Sequence, residues 1–365
     1  MCSGVGHINR GYEVHMRELF DLISDKIPDT RFLLLKGAGD SSKNEKHVFC
    51  IKRNSILGYY FKRMFMIRPP LLELFTFFIS SIYYIIKYKP KIIYCADYML
   101  AAYLTKFKVI FGLKYLILFR NGNAYSPPYK HADFVHQILN LYHFNTSDFP
   151  NIRQFVIPHG FKVNDYFVKE ESKYELRNKL KLPVNKKILL SVGALDLSVK
   201  RMDYIVNEFS KLGNDFFLLL IGNYEQETSC LEKMISQSIT KDKYRILTLE
   251  HHEVINYYCA ADFFCLASLK EGFGRVYVEA SLCNLPVIAH DYEVPREVLG
   301  DLGFYSDLTK NGYLVNVIGS ILNNYDKTLE KVIECKKYCK EKYDWDIVIV
   351  EYIKMFKILL CADCR

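Results

Sequence analysis

Short apolar runs alternate with longer amphipathic segments along this chain, and that rhythm limits the fold more than any single residue does. In the first half the runs are RFLLLKG (31–37), HVFCIK (47–52), KIIYCAD (91–97), YLILFRNG (115–122), YHFNTS (142–147) and QFVIPHG (154–160). In the second half they are KILLSVGAL (187–195), DFFLLLIGN (215–223), YRILTLE (244–250), DFFCLAS (262–268), LPVIAHD (285–291) and GFYSD (303–307). Helical periodicity fills most gaps, as in RMDYIVNEFSKL and HEVINYYCAA. Apolar strands separated by helices imply parallel sheets covered on both faces. The polar stretch 168–187 divides two such series. The expected class is therefore α/β, with two doubly wound Rossmann-like domains facing a central cleft. We place the first domain at 1–165, the second at 166–340, and a final helix, 341–365, packing back on the first. A chain of 365 residues can bury both cores.

Charge is spread unevenly. Residues 1–165 carry 22 Lys and Arg against 12 Asp and Glu, whereas the remainder carries 27 against 29. The excess accompanies an aromatic, apolar tract, Gly58–Lys91. Its longest uncharged piece, Leu74–Ile86, has 13 residues, fewer than the ~20 of a spanning helix. Glu73 and the Pro69–Pro70 pair interrupt any longer version. Two readings remain, a buried helix with a basic collar and a helix lying in an anionic membrane surface. They are compatible if one face alone is buried. Nucleic acid is not expected as a partner, because the basic residues interleave with apolar runs and no zinc-finger or aromatic RNA-binding spacing occurs. No basic, apolar, small-residue leader opens the sequence, and eleven cysteines lie scattered without a framework. The expectation is a cytoplasmic protein, peripheral at most on the inner face of a membrane. The closing CADC (Cys361, Cys364) has redox or metal spacing but no second pair or histidine partner.

In doubly wound sheets ligands bind beyond the carboxyl ends of strands, and the unusual residues fall there. In SVGALDLSVKRMDYIVNEF, Lys200 and Arg201 open a helix, where cations oppose the dipole. A bound anion reverses that sign, so the site reads as one for phosphate. In ASLKEGFGRVYVEAS a strand ends at Ser268, turns through Glu271, Gly272, Phe273 and Gly274, and enters a helix near Arg275. The glycines permit close backbone approach. Val276, Ala280 and Cys283 read as a core-facing stripe, with Glu279 on the same face. A carboxylate there needs hydrogen-bond donors, and a sugar diol offers two.

Together these features resemble the retaining glycosyltransferases of the GT-B fold, specifically glycosyltransferase group 1 (family 4). The quoted segments carry the likeness: VGALDLSVKRMDYIV, the Glu-x7-Glu turn EGFGRVYVEASLCNLPVIAHD, VIPHGF (156–161), and GVGHINRGYEVHMRELF as a glycine-rich loop and first helix. The resemblance implies a nucleotide-diphosphate-sugar donor, no metal or other cofactor, and a surface-glycan acceptor, lipid-linked in one version. By position, Lys200 and Arg201 would meet the diphosphate and Glu271 the transferred sugar. The Gly272–Arg275 amides would cap the phosphates, Glu279 would take the ribose, and Gly4 and Gly6 would let the first loop approach the diphosphate. Arg120, Asn121 and His131 become acceptor-side candidates, with Asn123 in the same loop. His136 and His143 read as surface or helix residues. The Asp344–Asp346 pair reads as helix capping rather than metal binding.

The chain departs from the family pattern in four places. Ala194 stands where the family often has arginine. Asn284 replaces a glycine and is expected to adopt αL. His159 replaces an asparagine. The family's first strand would precede Gly4, which leads us to expect a missing or truncated central strand. A degenerate, non-catalytic nucleotide-sugar-binding protein is the rival reading.

Overall fold

The computed structural model describes all residues except 9, 28, 123–128, 146–147, 151, 167–171, 226 and 362–365. The chain divides into two compact units, Met1–Gly160 with Asp346–Arg365, and Phe161–Trp345. The second unit begins five residues before the expected boundary. Phe161 donates its N–H to the Tyr343 carbonyl at 2.8 Å and accepts from the Trp345 N–H at 3.0 Å, which ties it to that unit.

The first unit contains α1 (Gly11–Ile23), β1 (Leu34–Lys36), β2 (Glu45–His47), α2 (Ile56–Phe65), α3 (Pro69–Tyr88), β3 (Ile92–Cys95), α4 (Tyr98–Ile110), β4 (Leu116–Asn121), β5 (Phe134–Gln137) and β6 (Arg153–Val156). Strands β3-β4-β5-β6 form a parallel sheet in that order, while β1 and β2 form a separate parallel pair. Residues 142–147, expected as a strand, form no named strand among those described; β5 fills that place in the sheet. Its sequence FVHQ hides the pattern because His136 and Gln137 are polar yet buried. Their partners are other buried groups. Tyr94 Oη lies 2.7 Å from His136 Nδ1, and Asn121 donates to Gln137 Oε1 at 2.8 Å. His136, expected at a surface or on a helix, is thus a core histidine.

Helix α3 overturns the expected interruption. Pro69 and Pro70 occupy its first positions, where a missing N–H costs nothing. Glu73 lies inside the helix and is neutralised by Arg53. At 20 residues, α3 is the one helix among the described residues long and apolar enough to cross a membrane, by length and composition alone. One face (Leu74, Phe77, Phe78, Ile85) joins the core, while Phe75, Ile79, Tyr83 and Ile86 are exposed.

The second unit contains α5 (Lys173–Lys179), β7 (Lys187–Val192), α6 (Met202–Phe209), β8 (Phe216–Ile221), α7 (Thr228–Ser238), β9 (Tyr244–Leu247), α8 (His251–Ala260), β10 (Phe263–Leu266), α9 (Arg275–Leu282), β11 (Val287–His290), α10 (Glu293–Leu299), β12 (Phe304–Ser306), α11 (Tyr313–Asn323) and α12 (Tyr325–Tyr343). Its six strands are parallel in the order β12-β11-β10-β7-β8-β9. The chain starts at β7, winds outward through β8 and β9, then returns to β10 on the other side. The order reverses between β7 and β10, the switch point beside which doubly wound sheets bind their ligands. A last helix, α13 (Trp345–Cys361), carries the chain back into the first unit. There Tyr352 Oη lies 3.0 Å from His15 Nε2.

Candidate functional site

The loop after β7 is shaped by close approach. A Cβ on Gly222 would lie 1.6 Å from the Gly193 carbonyl oxygen, so glycine alone lets the ends of β7 and β8 meet. Beyond Gly193 the chain folds over Asp196, whose Oδ1 accepts the N–H groups of Val199 (2.8 Å) and Lys200 (2.7 Å). The Lys200 stem then runs beside Gly193, where a Cβ would stand 3.3 Å from it. Ser268, just after β10, donates its hydroxyl to the Val199 carbonyl at 2.8 Å and fastens the two loops together. Lys200 Nζ consequently meets the Glu271 carboxylate in a direct, largely buried ion pair.

The neighbouring residues separate into two groups. Arg201 takes an αL conformation with φ of 52°. Its guanidinium donates to the Leu308 carbonyl at 2.9 Å and lies over the Tyr204 ring. It braces the loop rather than sharing the Lys200–Glu271 pair. Gly274 has φ of 75°, and a Cβ there would strike the Tyr277 ring at 2.4 Å, so the turn requires glycine. Phe273 packs 5.5 Å from the Tyr343 ring, and Arg275 lies 4.3 Å over Phe161. Both side chains are core, which leaves backbone groups to make any donor contact at these two positions. The expected apolar stripe on α9 is also corrected: this helix is buried on nearly every side, and Val276 is among its less buried residues. Asn284 takes φ of 58°, in αL as expected.

Glu279 is buried, hydrogen-bonded to two groups and ion-paired with a third. Tyr258 Oη lies 3.1 Å from Oε2, His251 Nε2 3.1 Å from Oε1, and Arg275 Nε 3.5 Å from Oε1. Burial alone would raise its pKa, but His251 and the other two partners outweigh burial and hold it below the usual carboxylate range. His251 and Tyr258 were missed in the sequence, although their spacing places both on the helix before β10. A carboxylate offers about four acceptor positions, so room for a ligand hydroxyl remains.

In the first unit, Gly6 has φ of 94° and a Cβ there would lie 2.5 Å from the Ala38 carbonyl oxygen; one on Gly4 would meet Glu13 Oε1 at 2.4 Å. The loop is held from below by Glu73, which accepts from Ser3 Oγ (2.8 Å) and from the Arg53 amide (2.8 Å), Nε (2.9 Å) and Nη2 (2.7 Å). Despite burial, His7 and Arg53 keep its carboxyl far below the ordinary range. Asp97, directly after β3, was not singled out in the sequence. Burial raises its pKa to about 6 against the opposing pull of Arg53, a value suited to proton acceptance near neutrality.

The acceptor-side candidates are spread apart. Arg120 and Asn121 sit within β4, both buried. Arg120 Nη2 lies 2.7 Å from His159 Nε2, so His159 orients this arginine. Asn121 bonds Gln137 and Tyr129 Oη. His131 closes a short 3₁₀ turn and lies 5.4 Å from the Tyr98 ring; burial lowers its pKa. Asn123 and Cys364 fall outside the described residues. Among the described residues, no three His, Cys, Asp or Glu side chains gather in a group that could hold a metal ion.

The family model for glycosyl transferases group 1 matches residues 172–349, the stretch that holds Lys200, Glu271 and Glu279. Over that stretch the chain is similar to the group 1 glycosyltransferases. The chain is 28% identical over 219 residues to a probable sucrose-phosphate synthase of Thermosipho melanesiensis, covering 57% of this chain and 49% of that one. It is 27% identical over 136 residues to a putative teichuronic acid biosynthesis glycosyltransferase, TuaC, of Bacillus subtilis, covering 37% and 33%. The matches thus span about half or less of these relatives' own lengths. Its fold is that of HepE of Anabaena, solved with UDP and glucose, at a TM-score of 0.75 and 16% identity, covering 98% of each chain. The GT-B fold expected from the sequence is thereby established for this chain.

Proposed function

We propose that this chain is a group 1 glycosyltransferase that moves a sugar, with retention of anomeric configuration and without a metal ion, from a nucleoside-diphosphate sugar to a surface-glycan acceptor. The observation that carries this reading is the Lys200–Glu271 pair at the strand-order reversal. Without ligand, each charge neutralises the other. A donor can replace both interactions at once, its diphosphate taking Lys200 and its sugar hydroxyls taking Glu271. Lys200, with the turn amides before α9, then stabilises the charge that develops on the departing diphosphate, the task a metal serves elsewhere. Glu279 accepts ribose hydroxyls. HepE's complex with UDP and glucose and the putative teichuronic acid biosynthesis role named for TuaC support the donor and acceptor classes.

The acceptor is proposed to be lipid-linked, and the protein to work at the cytoplasmic face of an anionic membrane. Helix α2 and the outer face of α3 support this. Ile56 and Met66 are 89% and 90% exposed, beside exposed Tyr59, Tyr60, Met64 and Phe65. Lys62, Arg63 and Arg68 flank them, the composition of a surface-seeking helix.

Turnover of a nucleotide-sugar panel tests the catalytic reading, with NMR of the product's anomeric proton. Activity that survives chelation, is lost in Lys200→Ala and yields a retained anomer is expected. Full activity in Lys200→Ala would overturn the site. Flotation with phosphatidylglycerol-containing vesicles, compared with phosphatidylcholine alone, tests the membrane contact; equal recovery would refute an anionic surface.

A further inference from the structure

Helices α8 and α9 of the second unit meet at two levels. At one, His251 and Tyr258 of α8 each hold the Glu279 carboxylate of α9 at 3.1 Å. At the other, Cys259 in the last turn of α8 faces Cys283, the residue that closes α9, with their sulfurs 3.4 Å apart. Both are free thiols. Cys259 is partly exposed, whereas Cys283 is buried and has its sulfur 4.0 Å from the Tyr166 carbonyl oxygen.

This pair is arranged for thiol–disulfide exchange. One sulfur can be reached from solvent and the other stands in contact behind it, as an attacking and a resolving thiol must. Lys336 of α12 is within electrostatic reach of both sulfurs, and its positive charge favours their thiolates. Contact with Cys259, and then burial, push the Cys283 thiol well above its usual pKa. Cys259 therefore opens the exchange and Cys283 completes it. A second pair, Cys335 and Cys339, lies one turn apart on α12 at 3% and 0% exposure, closed to an external reagent.

We propose that Cys259 and Cys283 form a modification site for low-molecular-weight disulfides such as oxidised glutathione, and that the bond they form weakens the hold of Glu279 on the donor. The second clause rests on the assignment of Glu279 to the donor ribose. The Cys259 thiolate attacks one sulfur of the reagent, forming a mixed disulfide and expelling one thiolate. Cys283 then gives its proton to solvent, and its sulfur attacks that of Cys259, closing the Cys259–Cys283 bond and expelling the second thiolate. The protein loses two electrons and two protons, and the reagent takes up both as two thiols. A disulfide bond is about 2.05 Å long, so the sulfurs close by roughly 1.4 Å from their present separation. Because Cys283 is buried, the last turn of α8 makes most of that movement. Tyr258 precedes Cys259 on this turn, and its hydroxyl is re-aimed out of the 3.1 Å bond to Glu279.

The test treats the 365-residue chain with oxidised glutathione and maps its disulfides by peptide mass spectrometry. Calorimetry then gives the Kd of the tightest binder among UDP, GDP, ADP and dTDP, before and after reduction with dithiothreitol. A linked Cys259–Cys283 peptide and a Kd raised about tenfold, the loss of one hydrogen bond to a charged group, are expected, both reversed by dithiothreitol. Cys259→Ser should keep the Kd of the reduced chain and ignore the oxidant, although Cys230 and Cys361 remain exposed to it. Absence of the linked peptide overturns the proposal. So does an unchanged Kd in the linked chain, or an equal rise in oxidised Cys259→Ser. Glu279→Gln, measured alongside, separates the two readings. If it raises Kd while linkage does not, the switch alone falls. If neither changes Kd, or no nucleotide binds, the ribose assignment falls with it.

Discussion

Glu73 on α3 and Glu279 on α9 are both helical glutamates with almost no exposure, each close to a glycine-rich turn. Their partners differ. Glu73 receives Ser3, three groups of Arg53 and, at 3.3 Å, His7, which exhausts the acceptor positions of a carboxylate. Glu279 receives hydrogen bonds from Tyr258 and His251, has Arg275 beside it as an ion pair, and retains capacity. The number of protein donors, rather than burial, separates a carboxylate that holds a loop from one that can hold a ligand. Glu208 follows the first pattern: fully buried, it accepts the Gly312 and Leu314 amides and pairs with Lys211.

The largest expected effect breaks the saturated carboxylate. Glu73→Ala leaves Arg53 half-buried without its partner and frees Ser3, a change that typically costs about 3–5 kcal/mol. Chemical denaturation should show that loss, while the folded fraction still binds donor through the second unit. Unchanged stability with donor binding abolished would reverse the assignment. The complementary change, Glu271→Ala, should lower turnover by roughly 10²–10³ at nearly constant midpoint of unfolding. Wild-type turnover in this variant would remove Glu271 from the site. Tyr258→Phe sharpens the contrast further, because it takes one donor from Glu279 without emptying the position. A hydrogen bond to a charged group contributes about 1.5–3 kcal/mol, so donor affinity should change about tenfold, read in KM with kcat nearly constant. An equal fall in kcat alone would mean that Glu279 acts on the reacting sugar instead of the ribose.

The fold of the second unit was legible because its elements are local in sequence. Strand, turn and helix follow one another within 187–209 and again within 262–282, and the αL position of Asn284 follows from the residue type. Long-range partners were not legible. Glu73 reads as an interruption because Arg53, twenty residues earlier, compensates it only in three dimensions. β5 was overlooked because a buried His–Gln pair looks polar until Tyr94 and Asn121 are placed beside it. Phe273, Arg201 and Arg275 show a third limit. Their places at the turns and helix starts follow from the sequence, but the direction of each side chain depends on Tyr343, Leu308 and Phe161, which no local spacing reveals.

Asp97 offers the smallest and most selective test of the contrast, because it is a carboxylate that burial disfavours rather than one that partners hold. Its pKa of about 6 lies above the ordinary 3.8. Below about pH 4 it is protonated in folded and unfolded chains alike and contributes no penalty. Between 4 and 6 the folded chain keeps a proton that the unfolded chain has released, so stability falls as pH rises; above 6 the penalty is complete and constant. Asp97→Asn, uncharged throughout, should match the wild type near pH 4 and exceed it in unfolding midpoint by pH 7. If Asp97 also accepts a proton during transfer, the same variant loses turnover and the inflection near pH 6 in kcat/KM. A stability gap that is already full at pH 4 would mean that Asp97 is held as an anion, like Glu73.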